Sequence, residues 1–155
     1  MARSFFHRLF GESRDQEYLT DDIRSVSISC GHMNYSHSYS FYLRKEESGW
    51  LLDADYAADT GQPHTAFEEC HVTEEDAKEL LSIVQEQDVT GKLRRYKKPK
   101  IKVQIADGTA YYTSVLFTDG EQLGAATRVS NDLINGFCRL AGKYAGTVPE
   151  TVDTE

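Results

Sequence analysis

Cys30, His32, His37, His64, Cys70 and His71 are the side chains able to ligate a soft or borderline metal such as zinc. Their spacing argues against a shared site. Cys30 and His32 fall on one strand face only if the strand runs on through Gly31, while the neighbours Cys70 and His71 point to opposite faces of any strand that carries them. His37 shares a face with Tyr39 and Phe41, where a hydrogen-bonded histidine at the margin of a core is the ordinary outcome. A different cation chemistry is open to "WLLDADYAAD", in which Asp53 and Asp55 project from the polar face of a strand and could hold a divalent ion on carboxylate oxygens. No glycine-rich phosphate loop accompanies them, and paired acids on a polar strand face also serve solubility. The sequence therefore assigns no metal and no cofactor.

Nucleophilic chemistry finds equally little support. Cys138 stands beside Phe137 and four residues after Ile134, at the margin of an apolar helical stripe where a small hydrophobe is expected. Strand alternation separates Cys70 from His71, and the chain has no G-x-S-x-G elbow, no G-x-G-x-x-G and no Walker loop.

The sharpest anomaly is "KLRRYKKPKIK", residues 92–102, which holds seven of the seventeen lysines and arginines and no acid. Position divides it. Beyond Pro99, Lys100 and Lys102 alternate with Ile101 and Val103 and read as the outward side of an edge strand, where lysine and proline discourage aggregation. Arg94, Arg95, Tyr96, Lys97 and Lys98 are left in the connection after a helix, as a candidate contact for an acidic protein surface, a neighbouring subunit or an acidic stretch of the same chain. As a nucleic-acid grip, residues 92–98 would bind weakly and with steep salt dependence. Twenty-five acidic residues and a net charge of −8 oppose it.

What must position these residues is a chain of 155 residues, long enough for one domain whose core needs no disulfide or metal staple. Three widely spaced cysteines form neither a disulfide framework nor a CxxC pattern, which suits a reducing compartment. No apolar run reaches the roughly 18 residues of a membrane span, and no cleavable leader is recognisable, so the expected location is the cytoplasm.

The chain opens on "MARSFFHRLFGE", which sets Phe5, Phe6, Leu9 and Phe10 on one side of a short helix with Arg3, His7 and Arg8 around the rest. Phe5, Phe6 and Phe10 thus form a second candidate contact, with a partner protein or, less suitably for so short a basic segment, with a membrane surface. Residues 1–22 read as this segment and a charged linker, 23–146 as one domain and 147–155 as an acidic disordered tail.

From Ile23 the period is two. Val26, Ile28 and Cys30 alternate with Ser25, Ser27 and Ser29, then Tyr39, Phe41 and Leu43 repeat the pattern, and "EESG" turns into a strand whose Trp50, Leu52, Ala54 and Tyr56 share a face. "TAFEECHV" completes a meander. Thr73 before three acids starts an amphipathic helix over 73–88, with Ala77, Leu80, Leu81 and Val84 as its stripe. Asp107-Gly108 and Asp119-Gly120 predict type I′ hairpins around a central strand, Ala110 to Thr118. Ser130 or Asn131 caps a second helix, 131–144, whose stripe comprises Leu133, Ile134, Phe137, Leu140, Ala141 and Tyr144.

The second half, "IADGTAYYTSVLFTDGEQLGAATRVSNDLINGFCRLAGKY", resembles a recurrent pattern in small bacterial proteins, particularly from gut Firmicutes, in which DG, an aromatic strand, DG, a short strand and a closing helix follow one another. "GAATRVSND" stands where that pattern carries a tryptophan and a Gly-Asn-x-x-Pro-like segment. The resemblance implies an α+β fold and a bacterial origin; it transfers no site residue. The expected architecture is α+β, an antiparallel sheet of six to seven strands with two amphipathic helices packed on one face. The expected function is a non-catalytic cytosolic protein-binding or accessory module, with an immunity-type protein that captures a basic effector as one variant. Its rivals are a metal-dependent enzyme using Asp53 and Asp55, and a weak nucleic-acid binder.

Overall fold

Serine alternates with branched or sulfur-bearing side chains in Ile23–Gly31, and this strand, β1, lies at the centre of the sheet in the computed structural model. The structure describes residues 20–32, 38–57, 63–97 and 109–145. Phe5, Phe6 and Phe10, His37, Lys98 to Lys102, the Asp107-Gly108 turn and the acidic tail lie outside them. β2 (Tyr39–Glu46), β3 (Gly49–Ala57) and β4 (His64–Val72) form the meander on one side of β1; β5 (Ala110–Phe117) and β6 (Gln122–Ala125) lie on the other. All pairings are antiparallel, in the order β4-β3-β2-β1-β5-β6.

Register turns the alternation into two different surfaces. Phe67, Ala54, Phe41, Ile28, Thr113 and Ala125 form one row across the sheet, and Cys70, Leu52, Leu43, Val26, Val115 and Leu123 form the next. These rows face the helices. Thr113, the polar member, is buried, and its hydroxyl donates to the Thr127 carbonyl at 2.8 Å, so its burial leaves no orphaned group. A bulge at Arg24 keeps Ile23 in the core together with Val26, which strict alternation would send to opposite faces. A second bulge lies opposite Asp53 in β4, where Glu69 takes a left-handed φ of 55°. With its two exposed glutamates it disfavours pairing of another strand along that edge.

Helix α1 (Glu74–Glu86) starts where Thr73 accepts the Asp76 N–H at 3.1 Å, and buries Ala77, Leu80, Leu81 and Val84. Helix α3 (Asn131–Ala145) is capped by Ser130, whose hydroxyl accepts the Leu133 N–H at 3.0 Å; of the two candidates, serine holds the cap. Both lie on one sheet face, as the periodicity requires. Between them Val89–Arg95 forms a short helix, α2, where the sequence reading placed a connection. Gly91 and three basic residues disguise it, yet Val89 and Leu93, one turn apart, both enter the core, and Lys92, Arg94 and Arg95 sit at the end of the helix dipole that favours cations. Among the described residues no helix is long and apolar enough to cross a membrane.

The Asp119-Gly120 turn also differs from expectation. Gly120 donates to the Phe117 carbonyl at 2.9 Å and Phe117 to that of Glu121 at 2.8 Å, which closes a three-residue loop. Only Gly120 has positive φ, 95°; Asp119 instead accepts the Glu121 N–H at 2.9 Å. The turn is therefore of the type I plus glycine-bulge kind, not type I′.

Two contacts fix α3 on α1 in antiparallel sense. A Cβ at Gly136 would lie 2.7 Å from Ile83 Cδ1 and 3.2 Å from Leu80 Cδ1, so the helices cross where the side chain is missing. Gly142 is exposed with nothing within 4 Å of its Cβ position, so Gly142→Ala should stabilise the fold by about 1 kcal/mol through helix propensity alone. Urea unfolding followed by the fluorescence of Trp50, the sole tryptophan and a buried one, measures it.

At the other end, Asp76 accepts from Tyr144 Oη at 2.6 Å and from Lys143 Nζ at 2.9 Å, while Thr73 N–H donates to the same tyrosine oxygen at 2.9 Å. The tyrosine hydroxyl, followed by the lysine, holds the Asp76 carboxyl below its ordinary pKa. A depressed carboxylate stabilises the native state above its unfolded pKa of about 3.9 and loses that contribution as pH falls through the lower folded value. Asp76→Asn should therefore lower stability at neutral pH and flatten its decline below about pH 4. Urea midpoints of both proteins at about pH 7 and about pH 3 test this; parallel declines would remove Asp76 as the source.

Candidate binding surfaces

Of the basic stretch, the structure describes residues 92–97, and two of its cations have partners inside the molecule. Arg94 Nη1 lies 3.2 Å from Glu121 in the β5–β6 turn, and Arg95 Nη2 lies 2.8 Å from Asp88, the left-handed residue between α1 and α2. Tyr96 Oη donates to the Ala126 carbonyl at 3.4 Å. These contacts bind the stretch to the rest of the fold, and Lys92 and Lys97 remain exposed.

Asp53 and Asp55 do share the face of β3 opposite the helices, but they diverge to different partners. Asp53 accepts the Glu69 N–H at 2.8 Å on one oxygen and lies 3.1 Å from Arg44 Nη1 with the other. Asp55 contacts His64 Nδ1 at 2.5 Å. Arg44, largely buried, also lies 3.4 Å from Glu46 and stacks 5.0 Å from the centre of the Tyr42 ring. The acids thus brace three strands against one another. Among the described residues no group of three or more histidine, cysteine or acidic side chains could hold a metal ion.

The cysteines fit their apolar settings. Cys30 is buried, and burial pushes the thiols of Cys138 and Cys70 up, away from the thiolate a nucleophile requires. Cys70 packs against the core while His71 is exposed on the other side of the strand.

Two surfaces remain that the sequence did not single out. The first is the sheet face on which none of the described helices packs. Across it run the rows Asp53, Tyr42, Ser27, Ser114, Gly124 and Asp55, Ser40, Ser29, Tyr112. Tyr42 and Tyr112, 38% and 46% exposed, are the large hydrophobic side chains left most open to solvent among the described residues. Tyr112 lies over Gly124 on the neighbouring strand, where any Cβ would collide with its hydroxyl. The alternation that put Val26 and Phe41 inward was the available signal for this surface.

The second is a cleft of about 460 Å³ on the helix side, where β1 ends, β2 and β5 begin and α3 starts. Tyr39, Tyr111 and Ile134 supply apolar walls, and Cys30 and Thr109 are its most buried members. Polar groups come from His32, Arg128, Asn131 and Asn135. The Arg128 guanidinium lies 5.2 Å from the centre of the Tyr111 ring. Burial, reinforced by the nearby Cys30 and Tyr111, raises the Tyr39 hydroxyl far above its ordinary pKa, so it remains a neutral hydrogen-bonding group. No single sequence motif marks this cleft, because its parts come from four separated segments. No family model matches the chain, and neither a curated protein nor a solved structure matches it.

Proposed function

We propose that this protein is a non-catalytic, cytosolic recognition module that binds a basic partner protein through the sheet face opposite the described helices. The observation that carries the reading is the pair of exposed tyrosines, Tyr42 and Tyr112, set beside Ser27 and Ser29 of β1 on the neighbouring strands. Tyrosine gives large contact area at small entropic cost and serine gives adaptable hydrogen bonds, a combination used by protein-binding surfaces. Five strands of eight or nine residues, with the four-residue β6 beside them, about 4.8 Å apart and roughly 26 Å long, present on the order of 600 Å², close to the roughly 800 Å² per partner of an ordinary stable interface. A net charge of −8 favours encounter with a basic partner. An immunity-type protein that captures a basic effector is the variant that this charge best suits.

Affinity capture from the native host, followed by binding measurements with the purified partner, provides the test. Tyr42→Ala combined with Tyr112→Ala should weaken a stoichiometric complex by about 100-fold or more while the protein stays folded. Equal affinity of this variant and the wild type would overturn the assignment of the face.

A further inference from the structure

We infer that the cleft between the sheet end and α3 binds a small organic anion with a planar body, independently of the partner surface on the opposite face. The described residues that line the cleft include an arginine and a histidine but no acid, in a chain with twenty-five acidic residues. Among the described residues Arg128, like Arg24 and Arg139, makes no ion pair, whereas Arg44, Arg94 and Arg95 do; of the three without one, Arg128 is the arginine that lines the cleft. Its guanidinium is instead held against the Tyr111 ring, which limits its motion and leaves its N–H groups for a ligand. A carboxylate or phosphate group is the chemical complement of that fork.

The walls select the remainder of the molecule. Tyr39, Tyr111 and Ile134 offer apolar area to a ring, while Asn131 and Asn135, one helical turn apart on α3, present amide donors and acceptors on one side. At about 460 Å³ the cleft falls within the range of small-ligand sites. Mononucleotides and aromatic carboxylates share the required chemistry.

Titration of the full-length ¹⁵N-labelled protein with adenosine monophosphate, benzoate and inorganic phosphate tests the inference and distinguishes the phosphate-bearing from the carboxylate-bearing class. At least one planar anion should give saturable shifts at residues 30–32, 39, 109–111 and 128–135, and should bind at least about tenfold more tightly than inorganic phosphate. Arg128→Gln, a change at an exposed position that leaves the core intact, should weaken that binding by about tenfold or more. Undiminished binding to Arg128→Gln, shifts centred elsewhere, planar anions no better than phosphate, or no binding to any probe would each overturn it. Because Tyr42 lies on the other sheet face, Tyr42→Ala should leave this titration unchanged, which separates the two sites.

Discussion

Phe41→Ala should cost about 3–5 kcal/mol, much of the roughly 5–15 kcal/mol that keeps a domain of this kind folded. Phe41 is completely buried and stacks on Phe137 of α3 with ring centres 5.2 Å apart and planes 13° from parallel; the Tyr56 ring centre lies 5.3 Å away, tilted by 42°. Truncation removes transfer free energy and leaves a cavity at the point where the meander meets the closing helix. With a urea slope of about 2 kcal/mol/M, the unfolding midpoint should fall by roughly 2 M. A double-mutant cycle with Phe137→Ala should show a coupling of about 0.5–1.5 kcal/mol, the share that belongs to the ring pair. Additive effects would mean that the two rings contribute only as separate buried volumes.

Gly136→Leu should be the second severe change, destabilising by about 1–3 kcal/mol or more through overpacking. The opposing helix propensity, about 1 kcal/mol in favour of any ordinary residue over glycine, is too small to offset it. Alanine is a closer contest, because the atoms it would meet are the ends of the Ile83 and Leu80 side chains. Ile83 is only partly buried and can turn aside, so Gly136→Ala should be nearly neutral. Adding Ile83→Val, which deletes the nearer Cδ1, should turn that neutrality into a gain. If Gly136→Ala and Gly142→Ala stabilise equally, the helices do not touch where the missing side chain indicates.

These two positions show how unevenly the fold was legible. Alternation in "SVSISC" and "FYL", and the i, i+3, i+4 spacing of Ala77, Leu80 and Leu81, depend on local geometry, so they identified the strands, the two long helices and the inward faces. The bulges at Arg24 and Glu69 arise from a mismatch between neighbouring strands and leave no mark in either strand alone. Asp119-Gly120 located its turn correctly, but the turn type depends on whether aspartate or only glycine takes positive φ, and that follows from the strand ends. α2 has only two apolar anchors, Val89 and Leu93, set among Gly91 and three basic residues, too few to give a helical period in the sequence.

Functional surfaces were less legible still. Asp53 and Asp55 were placed on the correct face, but Arg44 and His64, which engage them, come from different strands. Arg94 and Arg95 appeared as a charge cluster and are held by Glu121 and Asp88, partners that only the fold brings near. Arg128 stood in a loop with no pattern around it, and only the meeting of strand ends with α3 gives it Tyr111 and a cleft.

The strand order also imposes a sequence of events during synthesis. β1 to β4 can pair as a local meander once the N-terminal half has emerged, but β1 bonds on its other side to β5, and Ile23 must find Phe117 across nearly the whole domain. Until Ala110–Phe117 leaves the ribosome, the central strand of the finished sheet is an exposed edge with open hydrogen-bonding groups and an uncovered apolar row. The late arrival of β5 therefore leaves that second edge of β1 without its native partner until the closing half of the chain has emerged.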